Sequence, residues 1–207
     1  MDNDFPASTF DEWAERYDRS VSIDQYPFLG YREVLACIVE LAEPRPGLTV
    51  LDLGTGTGNL ALLFQQHGCE LWCTDFSKLM LEIARRKLPG AHFFHHDLRS
   101  PLPPGLGGRF ERIVSAYVFH HFPLDEKIRI LRTLADLHMA PGGRMVIGDI
   151  AFQDQAALEQ FKTGAGEEWE DEFYWLADET ISALMNIGIG VEYRQVSRCA
   201  GVFILTP

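Results

Sequence analysis

The chain has 207 residues and a formal charge of −12, from 18 Lys and Arg against 30 Asp and Glu. Hydrophobic residues at 46% and charged residues at 23% exclude a mainly disordered or fibrous polymer and suffice for one substantial core. The acidic balance disfavours nucleic-acid and anionic-membrane partners, which need clustered cations, and no apolar run reaches the roughly 18 residues of a membrane span.

The opening "MDNDFPASTFDEW" has no basic region followed by an apolar block, so a cytoplasmic location is expected. One domain is expected over 1–207, with 1–46 as an N-terminal helical cap region. Phe10, Trp13, Ala14 and Tyr17 recur at helical spacing, and "YREVLACIVELA" repeats that period before "EPRPG" breaks it; "DRSVSIDQYPF" between them reads as a loop. Next come a strand, "LTVLDLG", a helix, "NLALLFQQHG", a strand, "CELWCTD", and a Ser-initiated helix, "SKLMLEIARRKL". "AHFFHHD" and "FERIVSAY" give a third and a fourth strand around the kinked loop "PLPPGLGG". The helix "LDEKIRILRTLADLHM" is closed by "APGG", and "RMVIGDIAF" makes a fifth strand. Helical stretches around Gln155–Lys162 and Leu176–Asn186 precede two closely spaced strands that read as an antiparallel hairpin. The acidic run "EEWEDE" reads as solvated surface. Cys37, Cys69, Cys73 and Cys199 are scattered in apolar runs, as buried thiols often are.

Strands separated by helices imply an α/β fold with a doubly wound, mostly parallel sheet and helices on both faces, and ligands in such sheets lie beyond the C-terminal strand ends. At that place "VLDLGTGTG" sets Gly54, Thr55, Gly56 and Gly58 between the first strand and the first following helix, where glycine lets a ligand approach main-chain N–H groups. The spacing differs from the dinucleotide form G-x-G-x-x-G, and Asp52 beside the loop disfavours a phosphate while attracting a cationic group. Asp75 at the end of the second strand suits a carboxylate accepting ribose hydroxyls, with helix N-capping as the alternative that Ser77 can take over. Asp97 could accept from an adenine amino group or form a local turn.

These stretches in order resemble the class I S-adenosylmethionine-dependent methyltransferases: "VLDLGTGTGNLA", "LWCTDFSKLMLEIARRK", "HFFHHDLRSPLP", "FERIVSAYVFHHF" and "LHMAPGGRMVIGD". With "FDEWAERYDRSVS" and "AYVFHHF", the chain is more similar still to a small, largely uncharacterised bacterial group of the YrrT type. The resemblance implies a Rossmann-like seven-stranded sheet with an antiparallel last strand and S-adenosyl-L-methionine as cofactor. It places Asp52 and Gly54–Gly58 at the methionine portion, Asp75 at the ribose, and Asp97 with Leu98 at the adenine, with Phe76 also among the cofactor-binding residues. Ala116, at the end of the fourth strand, is expected among the cofactor-binding residues.

Transfer from a sulfonium is an in-line displacement that depends on alignment, and a base is needed only where the acceptor keeps its proton. His120 and His121 are the candidate bases and Tyr17 a further catalytic candidate. Tyr17 and Trp13 lie on one helical face that could close over the site; Tyr117, Phe152, Trp169, Tyr174 and Trp175 could line an acceptor chamber or pack as core. No metal site is expected, either at Cys69/Cys73 or at His95, His96 and Asp97. Short insertions point to a small-molecule acceptor, and a homodimer stays open. Two other readings remain: an inactive S-adenosylmethionine-binding sensor or complex subunit, and an NAD-dependent oxidoreductase.

Overall fold

The computed structural model describes residues 7–106 and 108–207; the side chains of 7–13 and of 167 lie outside the described residues. Helices α1 (Ala7–Ser20) and α2 (Tyr31–Ala42) come first, and the connection between them is tied by the Gly30 N–H donating to Asp24 Oδ1 at 2.8 Å. They are followed by β1 (Thr49–Leu53), α3 (Asn59–Gln66), β2 (Glu70–Asp75), α4 (Lys78–Lys87), β3 (His92–His95) and β4 (Phe110–Ala116). Then come α5 (Leu124–His138), β5 (Met139–Phe152), α6 (Gln155–Ala165), β6 (Trp175–Leu176), α7 (Ala177–Met185), β7 (Gly190–Gln195) and β8 (Ala200–Thr206).

The sheet order is β3-β2-β1-β4-β5-β8-β7, with β6 beside the end of β5. Strands β1 to β5 pair in parallel, and β8 runs antiparallel to both β5 and β7. The chain winds outward from β1 to β3 and then restarts at β4 on the other side of β1. The switch point therefore falls between β1 and β4, the place where sheets of this kind take their ligands, in a crevice beyond the C-terminal strand ends.

Strand alternation splits the core between the two faces. Val50, Val114, Val146 and Val202 turn toward Val34, Ile38 and Phe64 on one side. Their neighbours Leu51, Ile113, Ile147 and Phe203 turn toward Leu131, Leu134 and Leu184 on the other. The parity that buries Val50 beneath α2 and α3 also carries Asp52 to that face, at the crevice. Arg112 is buried in β4 and its Nε donates to the Ala42 carbonyl at 2.5 Å, satisfying one of the carbonyls that the end of α2 leaves open.

Two details differ from the sequence reading. The seven expected strands are joined by β6, two residues long, which pairs Trp175 with Ala151 and Leu176 with Phe152. So short a strand has no periodicity to read. Strand β5 also begins at Met139 and takes in "APGG", because Met139 pairs with Phe110 across an irregularity in β4 and its carbonyl accepts from Arg109 Nη1 at 2.7 Å. No helix among the described residues is long and apolar enough to cross a membrane.

Candidate active site

The loop leaving β1 is bound from both sides by carboxylates. Asp52, 1% exposed, accepts from Thr55 Oγ1 at 2.5 Å through Oδ2. The Thr55 N–H donates to the Thr74 carbonyl at 2.8 Å, tying the loop to β2. Asp75 accepts the Gly56 N–H on Oδ2 and the Ser77 N–H on Oδ1, each at 2.8 Å. Ser77 caps α4 by accepting the Met80 N–H at 3.1 Å, which leaves Asp75 free of that task.

The glycines divide the work. Gly54 has φ +64°, and a Cβ there would stand 2.4 Å from Val118 Cγ2, so this glycine lets the loop after β4 pack onto the loop after β1. Gly56 has φ +54°, but a Cβ on it would meet nothing within 4 Å. Its bare face borders open space, as a backbone approached by a ligand must.

Burial pushes the Asp52 carboxyl up to about 7, against the Thr55 hydrogen bond and with help from the charge of Asp75. Burial likewise raises Asp75 to about 6, opposed by the N–H groups of Ser77 and Gly56. A carboxyl raised on folding contributes stability that is complete below its ordinary range near 4 and is lost as pH rises through its folded value. At neutral pH both groups are therefore held against their solvation, and a ligand bringing positive charge or hydroxyl donors relieves that cost.

Helix α1 crosses this loop. Asp18 accepts from Thr57 Oγ1 at 2.6 Å and from Asn59 Nδ2 at 3.1 Å, and Lys87 Nζ of α4 lies 2.6 Å from its other oxygen. Tyr17 packs edge-on to Phe28 at 6.0 Å between ring centres and hydrogen-bonds Tyr31. Tyr31 and Phe28 in turn contact Tyr117 at 5.2 and 5.6 Å. Tyr117 holds φ +58°, a left-handed conformation rare for a bulky residue, and its buried hydroxyl has no hydrogen-bond partner among the described residues. A strained aromatic residue with an unspent hydroxyl at the switch point is placed to meet a ligand.

Beyond Tyr117, the short 3-10 helix Phe119–His121 turns its histidines toward β5. Buried Asp149 of β5 accepts from His120 twice, at the backbone N–H (2.9 Å) and at Nδ1 (2.5 Å). It also accepts from Trp175 Nε1 at 3.0 Å and from the Ile150 N–H at 2.8 Å. The largest influence on His120 is burial, which lowers it; the Asp149 charge and hydrogen bond, with Glu172, outweigh that and leave it raised. Burial also dominates at His121, which stays lowered, with His120 acting in the same direction. The two rings are 4.1 Å apart, and Glu172 reaches both, 3.6 Å from His120 Nε2 and 3.3 Å from His121 Nδ1. Lys127 lies 4.5 Å over the Trp175 ring and donates to the Phe173 carbonyl, and the Phe173 N–H donates to the His120 carbonyl at 3.0 Å.

A family profile described as a methyltransferase domain matches residues 50–143, the span from β1 into β5 that carries this crevice. An uncharacterised methyltransferase of Geobacillus kaustophilus is 33% identical over 200 residues, covering 90% of this chain and 89% of that one. The chain belongs to the class I S-adenosylmethionine-dependent methyltransferases. The methyltransferase shares its fold with the DhpI–SAM–HEP complex, at a TM-score of 0.75, 19% identity, and 97% and 95% coverage. It is also similar to magnesium protoporphyrin IX methyltransferase of Synechocystis PCC 6803 with bound SAH, at a TM-score of 0.73, 18% identity, and 97% and 99% coverage.

In the methyltransferase, Asp52, the glycine loop, Asp75 and Tyr17 come together at one end of the crevice, while His120 and His121 stand at the other with Ala116 between, at the end of β4. Phe76 follows Asp75 half-buried, and its carbonyl lies 2.9 Å from His95 Nε2. Leu98 packs at the edge of the second core. Asp97 carries the Asx turn weighed for it, accepting the Arg99 N–H at 2.9 Å and the Arg99 guanidinium at 2.7 and 3.1 Å. Trp13 and Phe10 have side chains outside the described residues. The run "EEWEDE" is only partly solvated surface: Trp169 stacks on Tyr26 at 5.7 Å and Glu172 turns inward. Sequence reasoning missed Asp18, Asp149 and Glu172. Only Asp149 carried a local signal, a lone acid inside an apolar strand.

Proposed function

We propose that the methyltransferase methylates a small-molecule acceptor, with the β1 loop and Asp75 holding the cofactor and the His120 end of the crevice receiving the acceptor. When bound, S-adenosylmethionine supplies the methyl group as an electrophilic carbon on a sulfonium. The observation that carries the reading is the open face of Gly56 in a loop held by two buried carboxylates, Asp52 through Thr55 and Asp75 through the Gly56 N–H; burial raises both carboxyls. Asp52 stands to balance the ammonium of the methionine portion, with the loop from Gly54 through Thr55 to Gly58 lying along it. Asp75 accepts the N–H groups of Gly56, Ser77 and Phe76 and retains lone-pair capacity for a ribose hydroxyl, with Phe76 beside it. Asp97 and Leu98 would border the adenine, and Ala116 the centre of the crevice. Tyr17, Tyr31 and Tyr117 exclude water around the reacting atoms and present ring faces or hydroxyls to a cation. His120 commits Nδ1 to Asp149, which fixes the ring and directs Nε2 to the acceptor end as the atom that takes a proton from an N–H or O–H acceptor.

Incubating the protein with isotope-labelled S-adenosylmethionine and a cellular metabolite extract, followed by mass spectrometry, is expected to show one labelled small product. Label found only in macromolecules would exclude this acceptor class. On that acceptor, His120→Ala is expected to lower turnover by about 100-fold or more while S-adenosylhomocysteine affinity changes less than about threefold. Undiminished turnover removes His120 from the mechanism.

The raised carboxyls also set the pH dependence of cofactor binding. An ammonium and hydroxyl donors favour the ionised forms of Asp52 and Asp75, so affinity should rise with pH through 6 and 7 and level off above. Below those values the loss approaches about tenfold per pH unit for each group. Calorimetry at pH 6 in buffers of different ionisation enthalpy should show proton release on binding S-adenosylhomocysteine. Binding without proton release, or affinity flat from pH 5 to 8, would contradict the assignment.

A further inference from the structure

We propose that His120, His121 and Glu172 form a site for one divalent first-row transition-metal ion at the acceptor end of the crevice. Among the described residues this is the one group of three histidine, cysteine or acidic side chains whose ligand atoms converge, all within 4.8 Å of one another. The inference rests on the proposed function for where the acceptor sits, but gives His120 Nε2 to the ion in place of the proton-accepting role stated there.

Glu172 and His121 are hydrogen-bonded, and the length of that contact leaves the same atoms able to take up an ion. Charge-assisted hydrogen bonds between nitrogen and carboxylate oxygen shorten to about 2.7–2.9 Å. Glu172 instead stands 3.6 Å from His120 Nε2 and 3.3 Å from His121 Nδ1, using a different oxygen for each. Two ligands each about 2.0–2.1 Å from a tetrahedral ion lie about 3.3 Å apart; the His121 contact matches this, and because Glu172 faces His120 with its other oxygen, a small side-chain shift would bring one oxygen to both nitrogens. Two imidazoles and a carboxylate are the protein ligands of many open zinc and iron sites, and they leave at least one position for water or an acceptor atom. Imidazole nitrogen also selects against calcium and magnesium, which take oxygen.

The surroundings supply what such a site needs. A metal-bound imidazole is oriented by a carboxylate on its other nitrogen, and Asp149 provides that at 2.5 Å from His120 Nδ1, reinforced by Trp175 and by two backbone N–H groups. The carboxylates of Asp149 and Glu172 offset the ion's charge, and Lys127, donating to the Phe173 carbonyl, is the cation nearby. His120 is buried and His121 and Glu172 are only partly accessible, with His121 Nδ1 itself shielded, so an ion would enter as these side chains shift. With the ion in place His120 Nε2 is a ligand, and the acceptor's proton passes to solvent as coordination acidifies the bound acceptor. The alternative occupant is a proton on His120 between Asp149 and Glu172.

The test uses the full chain, stripped with chelator and titrated with Zn2+ alone, without cofactor or acceptor. One equivalent should bind, raising the thermal midpoint, and Co2+ should give the visible spectrum of a nitrogen- and oxygen-ligated ion. Glu172→Gln and His121→Ala should each weaken Zn2+ binding by about 100-fold or more and abolish the thermal shift, since even the loss of an outer-sphere partner costs about 10- to 100-fold. Asp171→Asn, one residue away and exposed, should bind as the parent does. Absence of stoichiometric binding to the parent protein overturns the proposal and leaves the proton as occupant; binding that survives in either folded ligand variant overturns it as well. S-adenosylhomocysteine titration of the same samples reports on the methyltransferase reading separately.

Discussion

Asp75→Ala is expected to weaken S-adenosylhomocysteine binding by about 100-fold while the protein remains folded. Hydrogen bonds to a charged acceptor contribute about 1.5–3 kcal/mol each, and a ribose offers two hydroxyls to one carboxylate. The stability change should be much smaller because two effects oppose. The N–H groups of Gly56 and Ser77 lose their acceptor, but a carboxyl that burial has raised to about 6 is no longer held ionised at neutral pH. Gly56 borders open space, where water can replace the lost oxygen. Calorimetric titration beside thermal unfolding separates the two quantities. Unchanged ligand affinity would remove Asp75 from the ribose site, and a collapse of the fold would make it a structural strut instead.

The β1 loop and its carboxylates were legible because their signals are local. An apolar strand ending in alternating glycines states its own geometry, and Ser77 three residues before Met80 states the helix cap that frees Asp75. The mostly parallel sheet with helices on both faces followed from alternation of strands and helices, and the terminal hairpin from the short gap between β7 and β8. What stayed hidden depends on contacts between distant segments. Asp18 is one charge among many on α1 until Thr57 and Lys87 arrive beside it from the β1 loop and α4. Lys87, at the end of α4, is itself partly buried by that contact. Glu172 sits in an acidic run whose composition reads as solvated, and only the turn after α6 and the pairing of β6 with β5 bring it to the histidines. Composition describes the average of a segment, while a site is made by the single member that the fold turns inward.

Asp149→Ala is expected to be among the most destabilising single substitutions in the chain, at about 3–5 kcal/mol. Its carboxylate is fully buried and serves four donors on three segments: the His120 N–H and ring, the Ile150 N–H, and the Trp175 indole. Burial works against its ionised form, but the His120 charge and hydrogen bond, then Trp175, hold it below the usual carboxylate range. Truncation strands those donors in a space too enclosed for water to serve all of them, and leaves Lys127 with Glu172 alone to compensate its charge. It also releases the turn after β4 from β5 and β6 together, so the histidine end should loosen before the β1 loop does. Chemical denaturation should show a lower midpoint with little change in slope, and hydrogen exchange should report lost protection at Phe119–His121 and Trp175–Leu176 first. Asp149→Asn keeps the volume and one acceptor oxygen and should cost less than half as much. If Asn proved as damaging as Ala, the charge of Asp149 and not its hydrogen bonds would be what holds β4, β5 and β6 together at this end.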